Sequence, residues 1–232
     1  MSFETTAAIF DLDGTLLDSM HVWSDIDVEF LRKRNILKVP KAYSQALASL
    51  SFRETAEFTI DYFSLNEQPD DIMHEWNQMA IEAYSHHVQL KPHAKEFLQF
   101  LRSKNIRLGV CTALSQKLYV PALQNHGIFD WFDAIVSTDD VNKGKSYPDP
   151  YQFTAVRLGV SPEDCVVFED IPEAVTGAQK ARMQVCGVYD DASAHKEQQM
   201  RLLCDRYIFS FSELLPLKIR LGEYSGTDFY VY

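Results

Sequence analysis

Short apolar runs alternate with amphipathic stretches along the chain from residue 91 onward. In residues 93–105 the apolar side chains recur at helical spacing, and the run IRLGVC at 106–111 then predicts a buried strand. Further strands are predicted at DAIVST (133–138), CVVF (165–168) and QVCGV (184–188), with helices opening near Pro150 and at Pro172. Strands that alternate with helices in this way predict an α/β fold with a Rossmann-like, doubly wound parallel sheet.

Residues 20–88 have a different pattern, because helical periodicity continues there without any strand. Met20, Trp23, Ile26, Phe30 and Leu31 mark one helical face, and a second face follows in residues 72–83. Two shorter helical stretches are predicted between them, around Tyr43–Leu50 and Thr55–Phe63. We therefore predict a helical-bundle cap domain at 19–88, inserted into a discontinuous core formed by 1–18 and 89–232.

Composition and charge narrow the class of protein. With 232 residues and 46% hydrophobic content, the chain can bury a sizeable core. A net charge of −11 argues against sequence-independent nucleic-acid binding and requires any phosphate site to be locally positive. We expect no membrane span, because no apolar run reaches the roughly 18–20 residues needed to cross a bilayer. We also expect a cytoplasmic location. The four cysteines lack C-x-x-C spacing and are expected to be buried, reduced thiols.

Polar groups follow the predicted strands at the points where those strands end. Because ligands bind beyond the carboxyl ends of parallel strands, these groups should share one edge of the sheet. The groups are Asp11 and Asp13 after the first apolar run, Thr112 after IRLGVC, Lys145 in the segment after DAIVST, and Glu169 and Asp170 after CVVF.

Several carboxylates in one cleft repel one another and recruit a cation. An all-oxygen set with open positions suits Mg²⁺. Asp11 and Asp13 are two residues apart and share a strand face, so Asp11 can attack phosphorus to form an aspartyl phosphate. Asp13 can then act as general acid and base, which requires a proton affinity above that of an ordinary aspartate.

Three further features suit a phosphate group. Lys145 supplies a positive charge, and Thr112 offers its hydroxyl together with the backbone N–H groups of the turn. Gly14 fits a tight turn in which the backbone approaches a ligand closely.

The segments DLDGTLLDS, the Thr112 turn, GKSYPDP and FEDIPEAVTGAQKARM, in this order, resemble the haloacid dehalogenase superfamily over about residues 5–213. The inserted helices resemble the cap of its phosphoglycolate phosphatases, pseudouridine-phosphate phosphatases and β-phosphoglucomutases. The resemblance implies Asp11 as nucleophile and Mg²⁺ ligand, and Asp13 as acid and base with its carbonyl on the metal. It also implies Asp170 as a further ligand, Glu169 as a ligand or a group beside one, and Thr112 and Lys145 as phosphate contacts.

The chain departs from the family pattern at three positions. Ala113 stands where many relatives have Ser or Asn, which removes a side-chain contact but keeps a backbone N–H for phosphate. Ser146 replaces the usual proline after Lys145, and Arg182 stands where a helix-ending glycine is common. None of these changes removes an essential group.

The leading hypothesis is a Mg²⁺-dependent phosphatase for a small phosphorylated metabolite, such as a sugar or nucleoside monophosphate. The first alternative is a β-phosphoglucomutase-like phosphomutase, because Arg53 resembles a mutase cap arginine. Residues 71–90 contain no Lys or Arg to hold a second phosphate, which favours hydrolysis. A non-catalytic phospholigand-binding module is a further alternative. His21 and Arg53 are the candidate specificity residues of the cap.

Overall fold

The computed structural model describes residues 5–47, 50 and 52–216. The final part of the predicted core, 217–232, and residues 48, 49 and 51 of the predicted cap lie outside the described residues. Contacts divide the chain into two compact units, which are described separately below. The first contains the described residues up to Asp18, Gln89–Gln116 and those from His126 onward, and the second contains Ser19–Val88 and Lys117–Asn125.

The elements alternate much as the apolar pattern predicts. The strands are β1 (Ala7–Phe10), β2 (Leu17–Asp18), β3 (Gln89–Leu90), β4 (Arg107–Thr112), β5 (Ala134–Ser137), β6 (Cys165–Glu169), β7 (Gln184–Val188) and β8 (Arg206–Ile208). The helices are α1 (Val22–Lys33), α2 (Lys41–Leu47), α3 (Phe52–Phe63), α4 (Pro69–His86), α5 (Ala94–Ser103), α6 (Gln116–Asn125), α7 (Asp149–Leu158), α8 (Pro172–Lys180) and α9 (Glu197–Leu203). Gly159 caps the C-terminus of helix α7 in the left-handed conformation, with φ of 67°, which glycine adopts readily.

The first unit is built on a parallel sheet with the strand order β5-β4-β1-β6-β7-β8. Strand β1 is central, and its register pairs Phe10 with Val110 of β4 and with Phe168 of β6. A short antiparallel pair, β2 with β3, lies outside this sheet. The predicted α/β class with a doubly wound parallel sheet is thus confirmed, and the carboxyl ends of β1, β4 and β6 lie next to one another.

Both faces of the sheet are buried, which is why β1 is apolar at every position. On one face Phe10 stacks on Phe168 at a centroid distance of 4.5 Å, and Phe97 and Phe211 complete an aromatic cluster. Alternation along the strand sends Ile9 to the opposite face, where the buried cluster is mainly aliphatic.

The second unit is helical, as the sequence predicts for the insertion. In α1, Ile26, Phe30 and Leu31 are buried, and the Phe30 ring packs against Trp76 of α4 at 5.2 Å. Met20 and Trp23 were predicted on the same face, but they are 44% and 41% exposed. Met20 precedes the helix, which begins at Val22. Trp23 lies within the helix, but it is one residue past the buried row of Val22, Ile26 and Phe30.

The second unit also contains Lys117–Asn125, which falls outside the predicted cap range of 19–88. The boundaries of the two predicted domains stay a prediction.

Each of the four cysteines carries a free thiol; Cys111, Cys165 and Cys186 are buried, whereas Cys204 is half-buried. Among the described residues, no helix combines the length and apolarity needed to cross a membrane. The cytoplasmic location stays a prediction.

Candidate active site

Asp11 lies directly beyond β1, at the centre of the sheet edge. Its backbone N–H donates to the Phe168 carbonyl at 3.0 Å, so the β1–β6 ladder continues into the site and fixes its position. The chain then reverses tightly: Gly14, with φ of 76°, donates its N–H to the Leu17 carbonyl at 3.0 Å. Asp11 is 6% exposed, and Asp13 is half-buried within this turn.

Lys145 reaches Asp11 from the segment between β5 and α7. Its Nζ forms an ion pair with Asp11 Oδ1 and donates to Glu169 Oε1 at 2.8 Å. The Tyr151 hydroxyl of α7 donates to the same Glu169 oxygen at 2.8 Å. Residues far apart in the chain are therefore joined into one buried network.

Three buried carboxylates meet at this point: Asp11, Glu169 and Asp170 offer oxygen atoms that all lie within 4.8 Å of one another. Burial, together with the charges of Asp11 and Glu169, raises the pKa of Asp170 to about 8. Burial also raises the pKa of Glu169 to about 7, although Lys145 opposes this. For Lys145, burial lowers the pKa, but the charges of Asp11 and Glu169 outweigh it and hold the pKa above its usual value.

The three carboxylates together fit a hard divalent cation. Within the described chain, the buried Glu169 Oε2 has no hydrogen-bond partner, so a buried acceptor is left for a further ligand. When all three carboxylates are ionised, they carry more negative charge than Lys145 balances, and a divalent ion would offset the excess. An all-oxygen donor set is the kind that Mg²⁺ prefers. The resemblance assigns Asp13 to the metal through its carbonyl, and this role stays a prediction.

The predicted phosphate contacts are placed at the same sheet edge by the strand register. Thr112 ends β4, the neighbour of β1, and its hydroxyl oxygen accepts from Leu114 N–H at 3.0 Å. This bond uses the hydroxyl as an acceptor, so its proton can still be donated to a phosphate oxygen. Thr112 is buried, and Ala113 is exposed beside it.

The two cap candidates lie in the second unit. Arg53 is exposed and forms an ion pair with Asp70. His21 is also exposed, with its Nε2 3.7 Å from Asp25 Oδ2. Their role in specificity stays a prediction.

Sequence reasoning missed two residues that support the network. No local sequence pattern predicts the role of Tyr151, because its hydroxyl contacts Glu169 only after α7 packs on the sheet. Gly177 could have been noticed, because a glycine inside the helix α8 has poor intrinsic propensity. A Cβ at Gly177 would overlap the Lys145 carbonyl oxygen and lie 2.9 Å from the Tyr147 carbonyl oxygen. The glycine thus allows the segment that carries Lys145 to lie close against α8.

We expect Gly177→Ala to lower kcat by about 100-fold, because the Lys145 segment must shift and a displacement near 1 Å is costly in a catalytic constellation. Steady-state kinetics with an aryl phosphate would measure the loss. Gly144→Ala is the matched control in the same segment, since a Cβ there has no neighbour within 4 Å. Equal activity of Gly177→Ala and the wild type would contradict this role for Gly177.

Comparisons with known proteins show the family of the chain. Residues 8–188 match the family of haloacid dehalogenase-like hydrolases, so the chain belongs to that family. The resemblance drawn from the four segments is confirmed, as is the prediction of an enzyme of the hydrolase class.

The relatives reported below cover between 78% and 92% of this chain. A probable pseudouridine-5′-phosphatase of Drosophila melanogaster is 27% identical, over 87% of this chain and 91% of its own length. Beta-phosphoglucomutase of Bacillus subtilis is 31% identical, over 78% of this chain and 82% of its own length. The crystal structure of CbbY from Rhodobacter sphaeroides in complex with phosphate has a TM-score of 0.72 at 23% identity, covering 92% of this chain and 97% of that one. This last likeness supports the fold alone.

Proposed function

We propose that the protein is a Mg²⁺-dependent phosphatase that hydrolyses a small phosphorylated metabolite through an aspartyl phosphate on Asp11. One observation carries the proposal: Asp11, at the end of the central strand, is paired with Lys145 inside a group of three buried carboxylates. The family is one of hydrolases, and the two relatives compared above act, by name, on pseudouridine 5′-phosphate and on phosphoglucose. These names support a nucleoside or sugar monophosphate as the substrate class.

In the first half-reaction an Asp11 carboxylate oxygen attacks phosphorus, and the bond from phosphorus to the substrate oxygen breaks. Asp13 gives its proton to the departing alkoxide. In the second half-reaction Asp13 takes a proton from water, the water oxygen attacks phosphorus, and the bond to Asp11 breaks. Inorganic phosphate leaves, and both aspartates return to their starting states.

Lys145 has two tasks in this scheme. Before substrate arrives, it orients the Asp11 carboxylate through their ion pair. When a phosphate dianion enters, the buried ammonium group supplies positive charge in a site where water screens little. Thr112 and the backbone N–H of Ala113 would donate to the phosphate oxygens. Asp11, Glu169 and Asp170 would hold Mg²⁺, which supplies a countercharge that lets an anionic nucleophile and an anionic phosphate meet.

The metal assignment is tested by a stability measurement that does not depend on turnover. We expect millimolar Mg²⁺ to raise the melting temperature of the wild type, because a ligand that binds only the native state stabilises it. Asp170→Asn should abolish the shift, and chelation should remove activity. Asp139→Asn, an exposed acid outside the group, is the control and should retain the shift. An undiminished shift in Asp170→Asn would contradict the metal assignment.

A phosphomutase is the second candidate, and the 31% identity to beta-phosphoglucomutase favours it. In a mutase the phosphoryl group on Asp11 passes to a sugar hydroxyl rather than to water. Incubation with hexose 1-phosphates distinguishes the two, since a phosphatase releases free phosphate and a mutase yields hexose 6-phosphate. We expect phosphate release, because no Lys or Arg occurs in residues 71–90 and Arg53 is paired with Asp70.

A further inference from the structure

The second unit contains a pocket of about 490 Å³ formed by α1, α2 and α3, with one wall from α4. Three aromatic rings line it. Trp23 meets Phe52 at a centroid distance of 5.7 Å, and Phe52 meets Trp76 at 5.6 Å. Trp23 and Phe52 are 41% and 36% exposed, so two large apolar rings are partly open to solvent.

Asp27 of α1 also lines this pocket. The side chain is half-buried and forms no hydrogen bond or ion pair with any residue that the structure describes. Burial raises the pKa of Asp27 to about 6, and no neighbouring charge opposes that rise. At pH 8 the carboxylate is therefore ionised, and its negative charge has no compensating partner.

No lysine, arginine or histidine stands among the described lining residues, and Asp27 is the single charged one. The other polar side-chain groups of the described lining are the hydroxyls of Ser24, Ser44 and Thr55 and the indole N–H groups of Trp23 and Trp76. Within the described residues, the buried Trp76 Nε1 has no hydrogen-bond partner. A multivalent metal needs several charged or carbonyl ligands, so one carboxylate among aromatic rings suits it poorly. An inorganic anion would be repelled by Asp27.

We propose that the pocket binds a small organic ammonium ion, which pairs with Asp27 while its carbon groups pack on Trp23 and Phe52. Organic cations are attracted to aromatic ring faces and lose less hydration than a metal ion does. A carboxylate beside aromatic rings offers both a negative charge and an apolar surface. An organic ammonium ion fits this pair, because its positive charge matches the carboxylate and its carbon groups match the rings. This proposal does not depend on the hydrolytic site of the first unit.

Choline and its uncharged isostere 3,3-dimethyl-1-butanol are the test pair, because they share shape and differ in charge. Binding is followed at pH 8 by tryptophan fluorescence in a Trp131→Phe background, which leaves the two pocket tryptophans as reporters. We expect saturable binding of choline that is at least about tenfold tighter than that of the isostere. Asp27→Asn should weaken choline binding at least about tenfold, and Asp25→Asn, an exposed acid on the same helix, should leave it unchanged.

Absence of saturable choline binding, or equal binding of the two compounds, would overturn the proposal. So would wild-type affinity in Asp27→Asn. If circular dichroism shows that Asp27→Asn does not fold, Trp23→Ala is the second test variant. The Trp23 ring is partly exposed, so it can be removed without opening the core. Loss of choline binding in folded Trp23→Ala supports the proposal, and full retention overturns it.

Discussion

Asp11→Asn is expected to lower kcat at least about 1,000-fold, because the amide oxygen is a poor nucleophile toward phosphorus. The substitution keeps the size of the side chain and its backbone hydrogen bond to Phe168. Lys145 keeps its contact with Glu169 in the variant, so the network is not left without an anion. Steady-state hydrolysis of an aryl phosphate with Mg²⁺ present would measure the loss.

The matched control for Asp11→Asn is Asp18→Asn. Asp18 belongs to the same sequence segment, but it lies exposed in β2 and takes no part in the proposed chemistry. It should retain wild-type turnover. Retention of more than about a tenth of the activity in Asp11→Asn would show that another group attacks phosphorus.

Asp13→Asn is expected to cause a loss of similar size, at least about 1,000-fold, with a different signature. An asparagine cannot protonate the leaving alkoxide, so alkyl phosphates should suffer more than aryl phosphates, whose leaving groups need little protonation. The second half-reaction also loses its base. With an aryl phosphate, the variant should therefore accumulate phosphorylated Asp11.

Two measurements check the role of Asp13. The first is the ratio of kcat for an aryl phosphate to kcat for an alkyl phosphate, which should rise in Asp13→Asn. The second is mass spectrometry of the quenched protein, which should detect the phosphorylated chain. An unchanged ratio together with no phosphorylated protein would contradict the assignment of Asp13 as acid and base.

Much of the fold follows from local sequence patterns. Strands β6 and β7 and helix α8 begin where the apolar runs and prolines place them, because burial of both sheet faces demands uninterrupted apolar residues. Strand β8 was not predicted, since Arg206–Ile208 is too short to show a period and pairs with the sheet only after β7 is in place.

The grouping of the candidate site was likewise predictable, because parallel strands bring their carboxyl ends to one edge. Asp11, Lys145, Glu169 and Asp170 meet there as expected. The contact between Tyr151 and Glu169 was not predictable, and neither was the close approach of Gly177 to the Lys145 backbone. Both depend on how helices sit on the sheet, which a periodic pattern does not encode.

The central position of β1 has a consequence for biosynthesis. The strand that leads into Asp11 precedes both of its sheet neighbours, β4 and β6, in the chain, so it is synthesised before either of them. Roughly a hundred further residues must be synthesised before β4 can pair with β1, and roughly a hundred and sixty before β6 can pair with it. Such long-range pairing is slow. A nascent chain that stalls before β6 would therefore lack Glu169 and Asp170, two of the three carboxylates that meet in the candidate site.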